Sequence, residues 1–175
     1  MTYDKTVTDK GTGDRGIFER AAMYMPGYRG YRDRNLRREM DKEVRAEVVK
    51  TIKNSGEALA NVHRDVVRSG GDIGLAKDID RIRVKVDTGM KKIESAEEGY
   101  SGLWEAIKTE GKELSSVVEW DARLLEGTAE LRAGIRKLRE DPGVHAPEIE
   151  DLVDGLLENL RERKKVLKGL SEGGD

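Results

Sequence analysis

Cysteine is absent from the 175 residues, which excludes a disulfide framework, a thiolate nucleophile, a zinc ribbon and an iron–sulfur site. Proline is scarce, at 3 residues, and aromatic side chains make up 5% of the chain. With a hydrophobic fraction of 36%, that is poor material for an all-β or doubly wound core. Excess charge of one sign is missing too: 33 Lys and Arg stand against 35 Asp and Glu, for a net charge of -2. No run approaches the roughly 18 apolar residues of a membrane span, and the opening MTYDKTVTDKGTGDRG has no apolar core of a signal peptide. These absences lead us to expect a single-domain, cytoplasmic protein, in solution or lying on a surface. What is present, charge at 39% of residues, suits long amphipathic helices, whose apolar stripes need fewer hydrophobic residues than a globular core.

The apolar residues recur with helical spacing. Residues 1–16 hold almost nothing to bury and read as a flexible tail. In residues 17–31, Ile17, Phe18, Ala21, Ala22 and Met25 share one face of a short helix that Pro26 should end, followed by the turn Gly27-Tyr28-Arg29-Gly30-Tyr31. The stretch 32–171 is predicted to be helical throughout its main segments. Leu36, Met40, Val44, Val48, Ile52, Leu59, Val62 and Val66 step by threes and fours along a helix from about Arg32 to Ser69, with a skipped position at Asn54-Ser55-Gly56 where a weak point is expected and a break is the alternative. Ser69-Gly70-Gly71-Asp72 is a turn with an N-cap, and a second helix from about Ile73 to Glu97 should fold back as a hairpin. Glu98 to Gly111 interrupts the pattern. A third helix is expected over Lys112 to Glu140 and a fourth over about Ala146 to Leu170, with Pro147 in its first turn. Residues 172–175 read as a flexible end. The expected fold is all-α: an elongated antiparallel helical bundle, or coiled-coil hairpin, of three to four helices.

Few residues announce chemistry. Gly11-Thr12-Gly13-Asp14-Arg15-Gly16 matches G-x-G-x-x-G, but no buried strand precedes it, so a dinucleotide site is not expected. His63 and His145 lie far apart, outside any metal-ligand spacing; His63 reads as a boundary residue and His145 as an exposed residue before the last helix. Glu119 and Asp121 flank Trp120, yet helical neighbours point about 100° apart, so the two acids cannot share a proton. Asp121 lies on the apolar line of its helix and is the candidate buried polar residue, bonded to Tyr100 or to backbone N–H groups of the Gly99–Gly102 passage. No catalytic residue, cofactor or metal is expected.

The best functional candidate is the stretch Arg20 to Arg38, with six arginines against Asp33, interleaved with Tyr24, Tyr28 and Tyr31. Eight acids against Lys108 and Lys112 mark Glu94 to Asp121 as its electrostatic counterpart. Either the two stretches dock internally, or Ile17, Phe18, Tyr24, Met25, Tyr28, Arg29, Tyr31 and Arg32 face a protein or an anionic membrane surface. Tyr100 and Trp104 pose the same choice between closing an apolar end and forming a docking face. A sequence pI of about 5.9 argues against a dedicated nucleic-acid binder, and no small-molecule substrate is indicated.

Two passages, Met25-Pro26-Gly27-Tyr28-Arg29-Gly30-Tyr31 before a charged helix and Gly99-Tyr100-Ser101-Gly102-Leu103-Trp104-Glu105-Ala106-Ile107-Lys108 before an acid- and leucine-rich one, resemble turn motifs of an uncharacterised family of prokaryotic, coiled-coil-like helical proteins. The resemblance implies a helical, non-enzymatic protein and assigns no catalytic residue. The expected function is therefore a helical scaffold or adaptor acting by protein–protein contact or self-association. The alternative is a peripheral membrane-surface protein using the N-terminal amphipathic segment and its arginines.

Overall fold

The structure, a computed structural model, describes residues 16–95, 97–108 and 112–173; the side chains of residues 95, 97–101, 112 and 113 lie outside that description. The expected tail, the glycine motif before Gly16, and residues 174–175 also lie outside the described residues. Among the described residues every element is helical and no strand is present. A short helix α1 covers residues 16–24, and a 3-10 turn at Arg34–Leu36 leads into α2 (Arg37–Arg68), α3 (Ile73–Ser95), α4 (Glu97–Ala106), α5 (Lys112–Glu140) and α6 (Pro142–Glu172).

Three boundaries differ from the periodicity, each for a local reason. α2 begins after Arg32 because the chain first turns at Gly30, whose φ is +65°, and Asp33 then accepts a hydrogen bond from the Asn35 N–H at 2.9 Å to start the 3-10 turn. α6 begins at Pro142 and not at Ala146. Asp141 accepts from the Val144 N–H at 3.2 Å, and Pro142 takes the first helical position, where its missing N–H costs nothing. Pro147 consequently lies inside the helix. The passage from Gly99 to Ala106, expected as an interruption, belongs to helix α4. Its glycines each disfavour helix by about 1 kcal/mol, but Trp104 and the following Ile107 are buried, and their packing outweighs that loss.

The first long helix does not break at Asn54–Gly56. A Cβ added to Gly56 would sit 3.3 Å from Val86 Cγ1, so the glycine lets α3 approach. α2 packs on both α3 and α5, and α6 packs on both α5 and α3. Helix direction follows from the side-chain pairs. Arg81 and Lys85 reach Glu150 and Lys85 also reaches Asp154, so α3 and α6 run the same way. α2 and α3 run oppositely through the Ser69–Asp72 turn. Bulky α6 residues seat against glycines: Leu157 on Gly89 of α3, Leu156 on Gly127 and Ile149 on Gly134 of α5. One apolar cluster fills the space between the four long helices, with Ile52, Leu59, Ile79, Ile82, Leu124, Leu131, Leu138, Ile149 and Leu156 among its members. A second cluster closes the opposite end, where Ala21, Tyr28 and Tyr31 join Met40, Val44, Trp104, Leu125 and Leu167.

Candidate functional site

The densest polar constellation lies inside that second cluster. Asp121 points inward from α5 because it occupies the line of Leu114, Val117, Leu124 and Leu125, all buried. Arg163 comes from α6 on the same principle, since it stands three residues after Leu160 and four before Leu167, both buried. Asp41 comes from α2, one turn from Arg37 and Arg45. Arg163 and Asp121 are 0% exposed and Asp41 is 1% exposed.

The bonds among them form a closed set. Arg163 donates through Nε to Asp121 Oδ1 at 2.5 Å, through one terminal nitrogen to Asp41 Oδ1 at 2.7 Å, and through the other to the Tyr31 hydroxyl at 2.7 Å. Tyr31 and Tyr28 each donate to Asp121 Oδ2, at 2.6 and 2.7 Å. Arg45 Nε donates to Asp41 Oδ2 at 3.0 Å. Arg37 Nε donates to the Tyr31 carbonyl at 2.7 Å, which fixes the backbone on which that phenol is mounted. The Tyr31 ring stacks on Trp104, with centroids 4.5 Å apart, so α4 is held by the same residue. The network thus ties the 16–33 segment, α2, α4, α5 and α6 at one point.

Electrostatics match the geometry. Burial pushes the Asp121 carboxyl above the ordinary carboxylate range, opposed by Arg163 and by the two phenol donors. Three donors on its two oxygens hold it as a carboxylate. Burial alone lowers the Arg163 guanidinium, but Asp121, Tyr31 and Asp41 outweigh it and hold the group charged. Burial, reinforced by the neighbouring Asp121 charge, lifts the Tyr28 hydroxyl far above the phenol range; burial does the same for Tyr31 against the pull of Arg163. A sealed set in which each donor already has an acceptor offers no group to a substrate. Its work is positional.

Tyr28, Tyr31 and Trp104, candidates for an interaction face, are therefore core residues, because their hydroxyls and rings complete this network. Ile17, Tyr24 and Met25 are half-buried and pack against the same cluster. Phe18 is partly exposed, its ring edge against Tyr28 at 5.5 Å between centroids. Arg29, near Glu39 and Glu43 at 3.7 Å, and Arg32 are exposed. The side chain of Tyr100 lies outside the described residues. The partners of Asp121 are the two N-terminal tyrosines and Arg163, not the Gly99–Gly102 passage. Arg38 pairs with Glu105 and Arg34 donates to the Lys108 carbonyl, both in the expected acidic passage, whereas Arg20 pairs with Glu126 beyond it. Glu119 points away from Asp121 and pairs with Arg123, which also lies over the Trp120 ring. His145 lies within α6, half-buried against Glu148. Arg163 and Asp41 were missed by sequence reasoning. The signal was there: the seven-residue step from Leu160 to Leu167 is filled by Arg163.

Among the described residues no group of three or more His, Asp or Glu side chains stands where it could hold a metal ion, and no helix is long and apolar enough to cross a membrane. No family model matches the chain, and neither does any curated protein or any solved structure.

Proposed function

We propose that this protein is a non-enzymatic helical scaffold or adaptor, acting through self-association or contact with another protein on an elongated bundle of antiparallel hairpins. One contrast carries the reading. The convergent polar groups, Asp121, Arg163, Asp41, Tyr28 and Tyr31, are sealed from solvent and satisfy one another, whereas large apolar side chains stand outside the core on the helical surface, with Ile73 73% and Val144 65% exposed. Chemistry is spent on rigidity, and apolar surface is left for contact. The likeness to prokaryotic helical proteins drawn from the two aromatic passages belongs to the same reading.

Light scattering tests it. The mass should rise above 19.6 kDa as concentration increases over about 1 to 500 µM. A constant monomer mass would refute the self-association arm. The membrane alternative has weakened support, since Ile17 and Met25 pack on the core and leave Phe18 and Met23 as the exposed apolar residues of that segment. Flotation with anionic liposomes, comparing the intact protein with Phe18→Ser plus Met23→Ser, separates the two readings; failure to float removes the membrane one.

A further inference from the structure

The end of the molecule opposite the Arg163 network is built from the α2–α3 turn and the α5–α6 junction. These two connections lie side by side, for one cleft is lined by Asp65, Ser69 and Asp72 from the first and by Arg139, Asp141 and Gly143 from the second. Both are firmly made. Ser69 Oγ donates to the Val66 carbonyl at 2.9 Å, and Gly70 takes a φ of +67°, a conformation suited to glycine. Asp72 caps α3 through the Gly74 N–H at 2.7 Å, as Asp141 caps α6. The surface is preorganised, which lowers the ordering cost of any contact it makes.

Exposed large apolar side chains concentrate near this end. Val67, Ile73 and Val144, 56%, 73% and 65% exposed, stand within a few residues of the two connections. The same helix ends carry the exposed cations Arg64, Arg68, Arg136 and Arg139. Alternating with them along the sequence are the exposed acids Asp65, Asp72, Glu140 and Asp141. The two sets balance, and none of these eight groups forms an ion pair among the described residues. Along the same helices, away from this end, Arg81, Lys85 and Arg132 each hold a carboxylate.

We infer that this face pairs with the same face of a second copy, joining two molecules end to end about a twofold axis. A twofold contact places one patch against itself, so a patch of single sign would repel. A neutral patch with both signs interspersed brings cations onto the partner's acids while the three apolar side chains meet at its centre. A partner of one charge would satisfy only half of the set. The inference rests on the association reading above and names its surface. With 32 residues in α2, each rod is about 48 Å long, and an end-to-end pair is close to twice that.

Sedimentation velocity and small-angle scattering on the full chain provide the test. The expected result is a reversible monomer–dimer equilibrium, weakened by salt, whose dimer has nearly double the maximum dimension of the monomer. Ile73→Lys and Val144→Lys should each raise the dimer dissociation constant about tenfold or more. Val84→Lys, at a 54% exposed position in the middle of α3, should leave it unchanged. All three positions are exposed, so circular dichroism should report an intact fold. A dimer with compact, side-by-side dimensions, or one indifferent to Ile73→Lys and Val144→Lys, overturns this face while leaving self-association standing. A monomer at every concentration overturns both the face and the self-association arm, and leaves the adaptor reading to contact with another protein.

Discussion

Arg163→Met replaces the centre of the buried network with an unbranched apolar chain of similar length. The substitution removes three charge-assisted donors, at 2.5, 2.7 and 2.7 Å, and leaves Asp121 with two phenols and Asp41 with Arg45. Both acids stay sealed from solvent. Breaking a buried pair by deleting one partner costs about 3–5 kcal/mol, since an uncompensated charge remains. Against a typical stability of about 5–15 kcal/mol, that is a large share. Urea unfolding followed by circular dichroism at neutral pH reads the loss directly. The pH dependence then identifies its origin. Arg163 is the largest of the influences opposing the upward push of burial on the Asp121 carboxyl. Without it, the folded-state pKa moves further above the unfolded value, the native state binds more protons than the unfolded one in that window, and stability falls as pH rises through it. The deficit of the variant must therefore shrink on acidification, and Asp121→Asn added to Arg163→Met should recover part of the loss at neutral pH. A deficit below about 1 kcal/mol, or one that does not change with pH, would refute the assignment of Arg163 as the counter-charge.

Further outcomes follow from the same geometry. Tyr31→Phe should cost about 1.5–3 kcal/mol and more than Tyr28→Phe, because Tyr31 both accepts from Arg163 and donates to Asp121; equal losses in thermal melts would contradict this. With raised folded pKa values, Tyr28 and Tyr31 contribute stability that is complete below the unfolded phenol value of about 10 and is lost as pH rises above it. In an alkaline titration monitored by tyrosinate absorbance, their ionisation should appear together with loss of helix; smooth ionisation of all tyrosines with helicity intact would exclude it. Gly134→Ala should destabilise despite better helix propensity, since its Cβ would lie 2.7 Å from Ile149 Cδ1. Gly155→Ala, with nothing within 4 Å, should stabilise by about 1 kcal/mol, and chemical denaturation of the pair decides whether packing or propensity governs each site.

The surface reading depends on the same division of labour. At the Arg163 end, charges from α2, α5 and α6 are consumed in one interior set. At the hairpin end, charges of both signs remain in water around exposed Val67, Ile73 and Val144.

Sequence alone determined the four long helices. Steps of three and four from Leu36 to Val66 or from Leu114 to Leu138 are local instructions, legible because a helix brings those positions onto one face regardless of what covers it. Asp121 was legible as a polar residue on such a line. Its partners were not, because Tyr28, Tyr31, Asp41 and Arg163 lie on other helices and meet it only once those helices pack. Charge balance between the Arg20–Arg38 and Glu94–Asp121 stretches pointed toward docking, but could not distinguish tyrosines facing a partner from tyrosines facing inward. Packing decided that: the Tyr31 hydroxyl accepts from Arg163 and donates to Asp121 inside the buried set, and Tyr28 also donates to Asp121. Tertiary contact also overruled local chemistry at Gly99–Ala106, where seating Trp104 and Ile107 in the core outweighs the glycines' preference for a turn.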